Sequence, residues 1–98
     1  MSETLKDISI IQNFFKDKPV NKVWLFGSYA RGDFNKASDI DLLVDFSATI
    51  GLLKFSEYIL KLEQLLEKPV DLVPEDSVYP QIRHYIDKDK ILIYERNK

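Results

Sequence analysis

Residues 27–44 read Gly27-Ser28-Tyr29-Ala30-Arg31-Gly32-Asp33-Phe34-Asn35-Lys36-Ala37-Ser38-Asp39-Ile40-Asp41-Leu42-Leu43-Val44. Just before them, Val20 to Phe26 (VNKVWLF) reads as a strand that Gly27 closes. Gly27 has no Cβ, which lets backbone amides come close to a ligand. Ser28 to Arg31 leave room for one helical turn before Gly32 breaks it, and free N–H groups at such a turn favour phosphate. Asp39 to Phe46 (DIDLLVDF) is a second strand. Two apart on a strand, Asp39 and Asp41 project from one face. Their charges repel unless a cation lies between them. Hard oxygen ligands so paired suit Mg²⁺, which one or two carboxylates hold together with substrate phosphates. Taken singly, Gly-Ser is an ordinary turn and Asp-x-Asp a solvated strand end. Their order along the chain is what carries meaning.

Outward from this stretch the pattern alternates. Residues 3–17 place Leu5, Ile8, Ile11 and Phe15 at three- and four-residue steps, an amphipathic helix capped by Ser2 or Thr4 and ended before Pro19. Leu52, Phe55, Ile59, Leu62 and Leu66 mark a long helix that stops near Lys68-Pro69. Pro69 to Val73 (PVDLV) is a third strand, with its proline at the permitted first position. A shorter helix near 77–87 and a strand from Ile91 to Tyr94 follow. The order α-β-α-β-α-β-α-β predicts an α/β fold (α+β type), a small sheet with helices packed on one face. The helix between the second and third strands suits a parallel crossover.

Asp71 is a third acid, set between Val70 and Leu72 in an apolar strand, where a carboxylate needs a partner. If the second and third strands are parallel neighbours, Asp71 lies beside Asp41. The Gly-Ser turn ends the first strand while Asp39 begins the second, so those two strands must be antiparallel for the sites to meet. The sheet is therefore expected to be mixed.

Together these residues resemble the nucleotidyltransferase superfamily of the DNA polymerase β-like fold. The shared signature is an apolar residue before Gly-Ser, about ten residues, Asp-x-Asp, and a later acid on a neighbouring strand. Here it is Phe26-Gly27-Ser28, the ten residues from Tyr29 to Ser38, Asp39-Ile40-Asp41, and Val70-Asp71-Leu72. The string GSYARGDFNKASDIDLLV looks most like the minimal nucleotidyltransferases (MNT) that are paired with HEPN-domain partners, and the resemblance covers nearly the whole chain. It implies a single nucleotidyltransferase domain over residues 1–98. It also implies Mg²⁺-dependent transfer of AMP from ATP to a hydroxyl of a protein acceptor, a tyrosine of a HEPN toxin, so that the protein acts as antitoxin. In that reading Asp39, Asp41 and Asp71 are catalytic and hold two Mg²⁺ ions, while Gly27 and Ser28 cradle phosphates. Arg31 reads two ways: a fork aimed at a phosphate, or a partner for Asp33 or Asp39. The alternative from another class is a non-catalytic module that neutralises its partner by contact.

Composition bounds the rest. Ninety-eight residues match one domain and leave no room for a second lobe completing the acceptor pocket. A net charge of −2 argues against direct nucleic-acid or membrane binding through charge. No cysteine and one histidine, His84, exclude thiolate and multi-histidine metal sites, so any metal sits on oxygen. No apolar run approaches the ~20 residues of a membrane span, and the N-terminus lacks a signal-peptide pattern. The expected location is cytoplasmic. Asp45 shares a strand face with the acid pair but lies ~13 Å along it. His84 reads as a surface residue. Trp24, Phe14, Phe15, Phe55 and Tyr58 read as core, and Lys6, Lys16, Lys18 and Lys22 as a solvated face.

Overall fold

The computed structural model describes residues 2–33, 35 and 38–96, with backbone alone for residues 2 and 3. The elements run α1 (Ser2–Phe15), β1 (Val20–Phe26), α2 (Gly27–Arg31), β2 (Ile40–Phe46), α3 (Leu52–Leu66) and β3 (Val70–Pro74). A 3₁₀ turn (Glu75–Ser77), α4 (Pro80–Asp89) and β4 (Ile91–Glu95) complete them. The capping side chain expected of Ser2 and the loop residue Phe34 lie outside the described residues. Thr4 falls inside α1 and not at its start. The last helix begins later than its pattern suggests, because Glu75–Ser77 form their own 3₁₀ turn and Pro80 supplies the helical start.

The sheet order is β3-β2-β1-β4. β1 runs antiparallel to β2 and β4, and β2 runs parallel to β3. This is the mixed sheet the acids require. Alternation sorts its two faces. Val23, Leu25, Ile40, Leu42, Val44, Val70 and Leu72 point to one side, where they form a single core with Ile11, Phe14 and Phe15 of α1 and Tyr58, Leu62 and Leu66 of α3. Trp24 and Leu43 pair on the opposite side, as do Phe26 and Asp41. Among the described residues no helix is long and apolar enough to cross a membrane.

Two side chains depart from expectation. Trp24 lies outside the core because its strand position turns it to the far face, where the Lys90 ammonium sits 4.8 Å from its ring centre. Lys18 is half-buried and not merely solvated: its ammonium lies 4.3 Å from the Phe14 ring centre and donates to the Phe14 carbonyl at 3.2 Å.

The join between α3 and β3 sets the register of the site. The Glu63 carboxylate accepts the Val70 N–H at 3.0 Å, and the Ile40 N–H donates to the Pro69 carbonyl at 3.0 Å. Between them α3 closes on Glu67, which is held at φ +56° while its N–H reaches the Glu63 carbonyl. A side chain in this left-handed region costs roughly 1–2 kcal/mol, and glycine returns part of that gain as lost chain entropy. Glu67→Gly is therefore expected to stabilise the fold by about 0.5 kcal/mol, read as a higher midpoint in urea unfolding.

Candidate active site

Three strands end or begin at one edge of the sheet. In the ladder Asp41 of β2 stands opposite Phe26, the last residue of β1, and on its other side opposite Asp71 of β3. Neighbouring strands are about 4.8 Å apart, so the two acids share one face at close range. Gly27 follows Phe26 directly and takes φ +73°. The Asp41 carboxylate rests where a Gly27 side chain would begin: a Cβ there would overlap Oδ2 and stand 3.1 Å from the carboxyl carbon. The glycine is required twice, by its backbone angle and by its contact.

α2 is short and held at both ends. Tyr29 plunges into the core at 4% exposure. The Ser28 carbonyl accepts the N–H groups of Gly32 (2.9 Å) and Asp33 (3.1 Å), and Gly32 ends the turn at φ +84°. Ahead of β2 the Ser38 hydroxyl accepts the Asn35 N–H at 2.9 Å, and the Ser38 N–H donates to the Asn35 carbonyl at 3.0 Å. Ser38 thus steadies the approach to the acid pair.

Asp39 lies just before β2 and is exposed, whereas Asp41 is half-buried. Asp71 corrects an expectation. Its strand is an edge strand, and alternation buries Val70 and Leu72 while turning Asp71 to the open face, where it is exposed. Its reason for being there is not a buried partner. Burial, and then the negative charges of Asp71 and Asp39, push the Asp41 carboxyl up to about 6, and Arg31 pulls the other way. Asp71 and Asp39 thus both bear electrostatically on Asp41.

Among the described residues no three acidic or histidine side chains are gathered tightly enough to cage an ion unaided. The donor set nonetheless fits Mg²⁺, which takes one or two carboxylates and leaves its remaining positions to water and phosphate. A half-buried carboxyl made costly to ionise by two like charges is a group that a cation relieves. Asp45 lies four residues along β2, opposite Lys22, away from this edge. His84 is exposed, with its ring 4.0 Å from that of Tyr85.

Arg31 pairs with carboxylates. Its Nε donates to Asp33 at 3.1 Å and its Nη1 to Asp89 at 3.2 Å, so of the expected partners Asp33 is found and Asp39 is not. Sequence reading missed Asp89, which is 58 residues away on α4. No local signal marks it. Only the direction of β4, antiparallel to β1 and starting opposite Leu25, returns the end of α4 to this edge.

Known proteins resemble this chain in sequence and in fold. Residues 8–93 match the nucleotidyltransferase domain family. The protein adenylyltransferase MntA of Thermococcus cleftensis is 39% identical over 74 residues, 76% of this chain and 75% of that protein. A Methanocaldococcus jannaschii protein named as a candidate protein adenylyltransferase is 37% identical over 97 residues, 93% of this chain and 99% of its own length. Among solved structures, a chain of a toxin–antitoxin crystal structure with AMP-PNP superposes with a TM-score of 0.80 at 25% identity, covering 92% of this chain and 74% of that one. With a match that spans most of the sequence and a fold that superposes, at a TM-score of 0.64 and 32% identity, on a solved structure described as a candidate minimal nucleotidyltransferase, the chain belongs to the nucleotidyltransferase domain family, in its minimal form.

Proposed function

We propose that the chain transfers AMP from ATP to a hydroxyl of a protein acceptor, and that the acceptor is a tyrosine of a HEPN-type toxin for which it serves as antitoxin. The observation that carries this reading is the pairing of Asp41 with Asp71 across β2 and β3, with Gly27 pressed against the Asp41 carboxylate. The relatives' names supply the adenylyl group and the protein acceptor. A neighbour described as a tri-AMPylated HEPN toxin in complex with its MNT antitoxin has the same fold and suggests the partner.

In this reading the Gly27 and Ser28 amides and the Ser28 hydroxyl bind the β- and γ-phosphates, and Arg31 directs its remaining N–H groups at a phosphate. Asp39 and Asp41 would hold two Mg²⁺ ions, and Asp71 would share one. Bound Mg²⁺ supplies neutralisation of phosphate charge and acidifies the attacking hydroxyl. Asp71, exposed on the edge strand, faces the side from which a macromolecular acceptor can approach, and it accepts the hydroxyl proton. The tyrosine oxygen bonds to the α-phosphorus, the bond from that phosphorus to the bridging oxygen breaks, and pyrophosphate leaves.

The test is to incubate the chain with Mg²⁺, ATP and the purified HEPN protein. Label from the α-phosphate is expected on the partner, and label from the γ-phosphate is not. Neutralisation of the partner without ATP, and with no label transferred, would instead establish the contact-only alternative.

A further inference from the structure

The end of α4 lies beside α2 at the edge where β1 ends, although no strand signature marks it. β4 runs antiparallel to β1 and starts opposite Leu25, which returns the two preceding residues to the edge where β1 ends and Gly27 begins α2. There Asp89 Oδ2 accepts from Arg31 Nη1 at 3.2 Å while Asp33 Oδ2 accepts from Nε at 3.1 Å. The Asp89 side chain is 24% exposed against 47% for Arg31, so the acid is the more firmly seated member. Its neighbour Lys90 is seated as well, between the Trp24 ring at 4.8 Å and Asp87 at 2.9 Å.

A guanidinium has five N–H donors in one plane. Two carboxylates on different nitrogens fix that plane and leave three donors facing a set direction. An arginine on a five-residue helix, half exposed, would otherwise sample many rotamers and lose that freedom on binding. We propose that Asp89 is a positioning residue: by holding Nη1 it aims Arg31 at the phosphates of the bound nucleoside triphosphate. The inference rests on the nucleotidyl-transfer reading, since it needs a nucleotide on α2.

Binding of a non-hydrolysable ATP analogue with Mg²⁺ is measured by titration calorimetry on the wild-type chain and on Asp89→Asn, Asp89→Glu, Arg31→Ala and the Asp89→Asn/Arg31→Ala double variant. Asp89→Asn is expected to weaken binding about threefold to fivefold, the scale of one exposed charge pair. Asp89→Glu, which keeps the charge, restores most of it. In the Arg31→Ala background Asp89→Asn adds nothing. Asp87→Asn, two residues back on the same helix and paired with Lys90 and Arg83, leaves binding unchanged. In the transfer assay the Asp89→Asn effect falls on KM for ATP and not on kcat, a split that loosened folding would not produce. Equal or tighter binding by Asp89→Asn overturns the assignment, as does an equal loss in the Arg31→Ala background. A wild-type chain that binds no analogue overturns the nucleotidyl-transfer reading itself, and this inference with it.

Discussion

Asp41→Asn is expected to make the metal-free protein more stable near pH 7.5 while reducing AMP transfer by about 10³-fold, because metal-held charge stabilisation is worth several kcal/mol. The stability gain follows from the position of Asp41 in the ladder. Its carboxyl titrates at about 6, first through burial and then through Asp71 and Asp39. In the unfolded chain it titrates near 3.9. Between these values the folded state holds a proton that the unfolded state has released, so stability falls as pH rises from about 4 to about 6. Above pH 6 the full cost is present, and below pH 4 it vanishes. Two units correspond to about 3 kcal/mol, and screening at a half-exposed group reduces this to about 1–2 kcal/mol. At about 4–8 °C per kcal/mol for a chain of this size, the melting temperature at pH 7.5 should rise by about 4–16 °C in the variant. At pH 4 the two proteins should melt together. Millimolar Mg²⁺ should raise the wild type and leave Asp41→Asn nearly unmoved, because an amide brings no charge for the ion to relieve. A variant less stable than wild type at pH 7.5 without metal would show that Asp41 is satisfied by other partners.

The parts of this site that were legible in sequence are those written in short-range pattern. Val23 and Leu25, then Ile40, Leu42 and Val44, alternate at the strand period, so the two central strands and their core face follow directly. Their antiparallel pairing followed from chemistry, since Gly27 at one strand's end and Asp41 at the next strand's start cannot meet otherwise. What was not legible depends on position within the sheet. Asp71 among Val70 and Leu72 looks like a buried acid, but β3 is an edge strand with one open face, and the same alternation exposes it. Trp24 looks like core and lies on the far face. Asp89 carries no signal at all, because its role depends on β4 returning antiparallel to β1, and a five-residue strand does not encode its direction. The pKa of Asp41 belongs to the same class: two acids two apart predict repulsion, while the larger contribution, burial, comes from how Gly27 and the ladder close over it.

Gly27→Ala and Gly32→Ala separate these contributions, since both glycines have positive φ, +73° and +84°, but different surroundings. An added Cβ at Gly32 meets nothing within 4 Å. Its cost is the left-handed backbone alone, roughly 1 kcal/mol, and AMP transfer should stay within about twofold of wild type because no group near the acids moves. At Gly27 the same backbone cost applies, and the Cβ would also overlap the Asp41 carboxylate. The backbone is fixed on both sides, so the part freest to move is the Asp41 side chain. Asp41 is held in its rung between Phe26 and Asp71, and Gly27 is tied to a turn whose Tyr29 is buried. The carboxylate must rotate out of its place or the turn must back away, for a total near 2–4 kcal/mol of stability. Either movement displaces the oxygen proposed to hold metal relative to the amides proposed to bind phosphate by about 1 Å, and misplacement on that scale costs on the order of 10²-fold in rate. Urea midpoints and labelled-AMP transfer on both variants test the pair. Should Gly27→Ala transfer AMP as well as Gly32→Ala does, the contact between Gly27 and Asp41 plays no part in the chemistry, and the turn serves the fold alone.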